Sequence, residues 1–164
     1  MNQNVDKGQE LIDAAKNWLA IDGLWFLAIE ERYGLETAIA CDAAVWKEFS
    51  RIEADRIMKR LNLPENGGLE ALEIALHNRL FSLLNSYEIQ KPREGILEYY
   101  TITCRTQAAR DRKELPLFPC KEIGIIDYVT FAKRIDNRIQ TECISCPPDP
   151  SSGSYHCGWR FTLP

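Results

Sequence analysis

Apolar positions follow two rhythms along this chain. Through the first half they recur at helical spacing; through the second they alternate or cluster with aromatic and β-branched residues. The pattern predicts a helix from Asp6 to about Tyr33, broken at Asp22-Gly23 and stopped by Gly34. Its stretch Leu24 to Ile29 is apolar around most of the helix, as a buried element requires. A second helix is expected from Glu36 to Leu61, restarting at Asp42 as an N-cap, before the loop Pro64 to Gly68. A third runs from Leu69 to Asn85, with Leu69, Leu72, Leu76, Leu80 and Leu83 on one stripe.

Beyond Asn85 the period shortens. Tyr87 to Gln90 and Ile96 to Thr103 read as a hairpin around the turn Lys91 to Gly95. Short helices are expected at Gln107 to Glu114 and at Asp127 to about Ile139, the second capped by Asp127. Gln140 to Ile144 and Tyr155 to Leu163 form a closing hairpin, joined by a polar Pro- and Ser-rich connection. The expected class is therefore α+β: an N-terminal layer of three helices packed on a C-terminal antiparallel sheet of two hairpins, with one or two short helices between them. No repeat or shift in composition divides residues 1–164. A single domain of this size buries roughly 70% of its unfolded surface.

Charge narrows the partners. Twenty Lys and Arg against 24 Asp and Glu give a net charge of −4, and no five like charges are consecutive. No concentrated basic face is available for nucleic acid. The longest apolar stretch falls far short of the roughly 20 residues of a membrane span. The polar Met1 to Asp6 lacks the layout of a signal peptide. The expectation is a cytoplasmic protein with a small-molecule partner, no nucleic acid and no membrane, with homodimerisation left open. In a reducing compartment, clustered thiols serve as metal ligands or catalysts more often than as disulfides.

Five of the six cysteines fall in the last third: Cys104, Cys120, Cys143, Cys146 and Cys157. Cys143-x-x-Cys146 runs into Pro147-Pro148-Asp149, and Cys157 returns from a later strand. A Cys-x-x-Cys step with a third returning thiol is how soft ligands are gathered around one metal. Zinc is the natural ion, with iron or an iron–sulfur cluster as the alternative, and Cys104, Cys120 or His156 would complete the set. A redox dithiol and an inert apolar core are the competing readings. Cys41, in the helical half, is expected in the core.

On the second helix, Glu53 falls inside the apolar arc between Phe49 and Ile57, with Arg56 and Arg60 on the same arc. A charge there must be paired or meet a polar ligand. The expected pair is Glu53–Arg56, with Arg60 reaching water; a ligand pocket is the functional alternative. Glu30 on the first helix poses the same question. His77, one turn after Glu73, is expected to be structural rather than a metal ligand.

The spacings Trp25-x4-Glu30-x3-Gly34, Trp46-x6-Glu53, Cys104-x2-Gln107-x2-Arg110 and Cys143-x2-Cys146-Pro147-Pro148-Asp149 with Tyr155-x-Cys157-x-Trp159 cover nearly the whole chain. In these the sequence resembles a family of prokaryotic cytosolic proteins of unassigned function, and it is distantly similar to aminothiazoline-carboxylic acid hydrolases. Its element order also resembles vinyl-reductase-type small-molecule-binding domains, which share a fold with vesicle-tethering subunits and haem nitric-oxide sensors. Neither His77 nor His156 sits in a haem-ligand motif, which argues against haem. The resemblance implies a pocket between helices and sheet, beside a cysteine-bound metal. Trp46, Arg56, Gln107 and Arg110 would line the ligand site, with Glu53 and Arg110 holding a substrate carboxylate or amine.

Three readings follow. The first is a small-molecule-binding domain with a cysteine-rich zinc site. The second is a metal- or thiol-dependent hydrolase of a small cyclic amide or thiazoline-type carboxylate, with Glu53 or Glu30 as general base. The third is a structural or dimerisation module whose cysteines staple the closing hairpin.

Overall fold

A computed structural model describes residues 6–150 and 153–164; the polar Met1 to Val5 and Ser151-Ser152 of the last connection lie outside the described residues. The described residues form an α+β fold of five α-helices and one four-stranded antiparallel sheet. Helix α1 (Lys7–Tyr33) starts where the Asp6 carboxylate accepts from the Gly8 N–H at 2.9 Å. It runs without a break through Asp22-Gly23, because Gly in a helix interior costs only about 1 kcal/mol against Ala. Gly34, at φ 85°, joins α1 directly to α2 (Leu35–Leu61), which is likewise continuous through Asp42. A side chain at that φ would be strained, so this one-residue link is built on glycine.

Helix α3 (Gly68–His77) stops eight residues before the expected end, and a 3₁₀ turn covers Leu80–Leu83. Strands β1 (Ser86–Gln90) and β2 (Ile96–Thr103) form the first hairpin. Helix α4 (Arg105–Asp111) begins earlier than expected, directly after Cys104. Helix α5 (Lys121–Ile135) starts six residues before Asp127, so Asp127 is an interior residue and not a cap. Strands β3 (Gln140–Ser145) and β4 (Cys157–Thr162) close the chain.

The two hairpins are one sheet, ordered β1-β2-β4-β3, because β2 and β4 pair with Tyr99 opposite Trp159 and Thr101 opposite Cys157. Alternation turns Leu97, Tyr99, Cys157, Trp159 and Phe161 toward the helices. They pack with Ile57, Leu72, Leu76, Phe131 and Ile135 in the main core. On the outer face Arg160 pairs with Glu98 at 2.8 Å, and the Tyr100 hydroxyl donates to Glu98 at 2.7 Å. A second cluster joins Trp46 and Phe118 to Trp18, Phe26, Phe49 and Phe81.

Three expectations are corrected: the Glu53–Arg56 pair, a core Cys41 and a buried apolar stretch on α1. Arg56 is exposed, and Glu53 pairs with Arg79. Cys41 lies on the surface of α2, away from the core. The apolar stretch of α1 is not a buried element: Leu24 and Trp25 are 58% and 66% exposed. His77 is exposed and meets the Tyr87 hydroxyl at 2.7 Å, while Glu73 pairs with Lys91. Arg60 reaches the Asn78 carbonyl at 3.4 Å.

Candidate functional site

Two features lie on opposite sides of α4. At about 100° per residue, Cys104 and Gln107 share one side of that helix, and Arg105, Thr106 and Ala109 the other. The first side faces the thiols; the second lines a cleft.

The thiols are brought together by backbone and charge. Lys121, the first residue of α5, donates its N–H to the Pro147 carbonyl at 2.9 Å, and its ammonium meets both Asp149 oxygens at 2.9 Å. Asp149 also accepts from the Cys146 N–H at 3.3 Å. The Cys146-Pro-Pro-Asp149 turn is thereby tied to the start of α5, where Cys120 sits, and the two sulfurs stand 3.4 Å apart. Cys157 arrives on β4 opposite Thr101 and hydrogen-bonds with Cys146. Cys104 and Cys143 lie within electrostatic reach of both Cys120 and Cys157.

Their acidities diverge. Hydrogen bonding to Cys120 and Cys157 pushes the Cys146 thiol up, as does burial. Cys157 is held below the ordinary thiol range, chiefly by the Cys146 hydrogen bond, with Thr101 and Trp159 assisting against burial. Burial pushes Cys104 and Cys143 each up to about 11. The Trp159 indole N–H is buried without a partner of ordinary hydrogen-bond geometry among the described residues, and its influence falls on the Cys157 sulfur. Among the described residues, no three His, Cys, Asp or Glu side chains stand ready-made to hold a metal. His156 is exposed, and its backbone N–H is bonded to Thr101.

Gln107 and Arg110 fix the segment between the two features. Gln107 donates to the Phe118 carbonyl at 2.8 Å and accepts from the Phe118 N–H at 3.0 Å, while its amide lies 3.7 Å from the Cys120 sulfur. Arg110 holds Glu30 through two bonds of 2.7 and 3.0 Å and the Pro116 carbonyl at 2.7 Å. Glu30 is thus engaged by a guanidinium. Glu53 is too: Arg79 binds it at 2.9 Å and Asp127 at 2.7 Å, and Glu53 also accepts from the Leu80 N–H at 2.9 Å. Burial opposes the charge on Arg79, but Asp127 and Glu53 outweigh it and hold its pKa well above the usual value. Trp46 is buried, stacked with Phe81 and edge-on to Trp18, with its indole bonded to Asp42.

The cleft between α1 and α4 encloses about 390 Å³. Arg110 and Phe118 contribute to its wall. Its carboxylates are Asp22 and Asp42, which in the sequence carry only the marks of a helix break and a cap. Burial raises Asp22; burial and then Asp22 raise Asp42 to about 7, against the Trp46 hydrogen bond. A carboxyl with a raised pKa in the folded state costs stability as pH climbs from about 4 to 7. Asp42→Asn is therefore expected to stabilise the fold at pH 8 and to leave it unchanged at pH 3. The gain has an upper bound of about 4 kcal/mol and is reduced by water in the open cleft. Thermal melts of both proteins at the two pH values check this.

Fold and site together define a small α+β domain with one sheet face covered by helices, a thiol cluster at one end and, beside it, a cleft that holds two carboxylates. The chain belongs to a family of unknown function (DUF6125), whose model matches residues 3–163. A comparison with curated proteins finds no match. No helix among the described residues is long and apolar enough to cross a membrane.

Proposed function

We propose that this chain is a small-molecule-binding domain that holds a zinc ion in the Cys120, Cys146 and Cys157 cluster, with Cys104 or Cys143 as fourth donor. The observation that carries this reading is the 3.4 Å approach of Cys120 and Cys146, with Cys157 bonded to the second of them. Sulfurs around tetrahedral zinc, at bonds of about 2.3 Å, stand about 3.8 Å apart, so side-chain rotation alone would open the cluster to an ion. A thiolate at Cys157 would also satisfy the stranded Trp159 N–H. Burial disfavours thiolates at Cys104 and Cys143, so the ion would supply the compensating charge and release protons on binding.

Elemental analysis of reduced, tag-free protein tests this beside Cys146→Ser. The expected result is about one zinc per chain, lost in the variant. Protein that carries no metal, and takes up none from micromolar zinc, would rule the reading out. The lowered pKa of Cys157 favours a second reading, a thiol-dependent hydrolase, since the thiolate is the nucleophile. Metal-free protein alkylated first at Cys157 would support that alternative. Glu53 and Glu30 are held by Arg79 and Arg110, so Cys157 carries that reading.

A further inference from the structure

The charges of the cleft are sorted by depth. Asp22 from α1 and Asp42 from α2 stand half-buried inside it, whereas Lys16, Arg105, Arg112 and Lys113 line it from exposed positions. Much of the remaining lining is apolar, Leu19, Leu27, Leu84 and Phe118 among it. Among the described residues no ion pair includes either carboxylate, although ion pairs engage Glu30, Glu53 and Asp127 nearby. Two carboxylates that share a cleft without an ion-paired cation are an electrostatic vacancy, because each raises the cost of ionising the other. The groups around Asp42 do not fill it: Asp22 on α1 and Asp127 on α5 are acidic, the Trp46 indole is neutral, and Arg110 on α4 is committed to Glu30.

We infer that the cleft binds a small amphipathic zwitterion, with an ammonium or amidinium group between Asp22 and Asp42, an apolar body against Leu27 and Phe118, and an anionic end at the basic mouth. This inference takes the small-molecule-binding reading as its premise and is independent of the metal. The volume suits it, since ligand cavities of about 300–1,000 Å³ are typical and a few placed polar groups set orientation. The half-buried pair selects a cation because pairing offsets both the desolvation penalty and the mutual repulsion. The mouth selects an anion more weakly, being exposed and screened by salt.

The test uses the full chain and a series of α,ω-aminoalkanoates of four to eight carbons, titrated by calorimetry beside the matched alkylamines and alkanoates. One length is expected to bind at least about tenfold more tightly than either single-ended analogue, which is about 1.4 kcal/mol. Its affinity should rise from pH 5 to pH 8, as the carboxylates ionise, with proton release detected by comparing two buffers. Asp42→Asn should abolish that advantage and that pH dependence while remaining folded by circular dichroism. Arg112→Ala/Lys113→Ala should weaken the zwitterion and spare the alkylamine.

No binding by any member of the series, or a zwitterion preference that survives Asp22→Asn/Asp42→Asn, would overturn the inference. Zinc content measured on the same samples separates this failure from failure of the metal reading. A protein with zinc and no zwitterion binding loses the cleft ligand alone, and one with binding and no zinc loses the metal alone.

Discussion

Replacing Arg79 with methionine is expected to lower the unfolding free energy by about 3–5 kcal/mol. The Arg79 guanidinium is 4% exposed and bonds Glu53 at 2.9 Å and Asp127 at 2.7 Å, with its carbon 4.3 Å from the Phe131 ring centre. It follows α3 in the chain and joins α2 to α5, so one side chain locks three helices. Methionine would fill much of the volume and supply no charge, leaving two carboxylates in the core. The Leu80 N–H on Glu53 and the Ser50 hydroxyl, 2.5 Å from Asp127, cannot replace a cation. Urea denaturation at neutral pH measures the loss. The triple variant Glu53→Leu/Arg79→Met/Asp127→Leu should recover most of it, because isosteric apolar groups carry no desolvation penalty. Ser50 stays satisfied there by the Trp46 carbonyl at 2.6 Å. A loss below about 1 kcal/mol for the single variant would mean that water reaches the carboxylates and that the lock is ordinary surface pairing.

Gly124→Ala is the second large effect, and its sign is set by packing. In a free helix the change gains about 1 kcal/mol. Here the new Cβ would stand 2.6 Å from Cζ2 and 2.9 Å from Cη2 of Trp159. That ring is 1% exposed and stacks on Tyr128 with centroids 4.6 Å apart, so it has nowhere to go. Overpacking a filled core costs about 1–3 kcal/mol, and an overlap this deep belongs at the upper end. The expected net result is a melting temperature lower by roughly 2–8 °C. Gly23→Ala is the matched control: it is also helical, and nothing stands within 4 Å of its Cβ, so it should raise the melting temperature. An unchanged or higher melting temperature for Gly124→Ala would show that α5 can slide away from Trp159. Because Cys120 begins α5, any such slide would also disturb the thiol cluster.

The α+β class and the strands were legible because alternation and helical spacing are local properties. Ile96 to Thr103 matches β2 end for end. What escaped was set by distant partners. Glu53 looked toward Arg56 within its own helix, whereas its partner Arg79 comes from 26 residues away. Asp127 has the composition of a cap, but its acceptor capacity is used by Ser50 and Arg79, so α5 could begin earlier. The same ambiguity hid the cleft: Asp22 beside a glycine and Asp42 near the start of a helix look like punctuation until α4 is placed against them. The approach of Cys120 to Cys146 follows from Lys121 and Asp149, a pairing across 28 residues that no spacing rule contains. The join of β2 to β4 is of the same kind, a register shared by two distant hairpins.

The first helix has a kinetic consequence. Of its 27 residues only Ala15 is fully buried, so few contacts resist its opening, and its local unfolding free energy must lie below that of the core built on α2, α5 and the sheet. Yet α1 supplies one whole wall of the cleft, including Asp22. A molecule seated there is held by the element that lets go most easily. Its residence time is then tied to the fraying of α1, and slower amide exchange along Leu19 to Leu27 would be the direct mark of an occupied cleft.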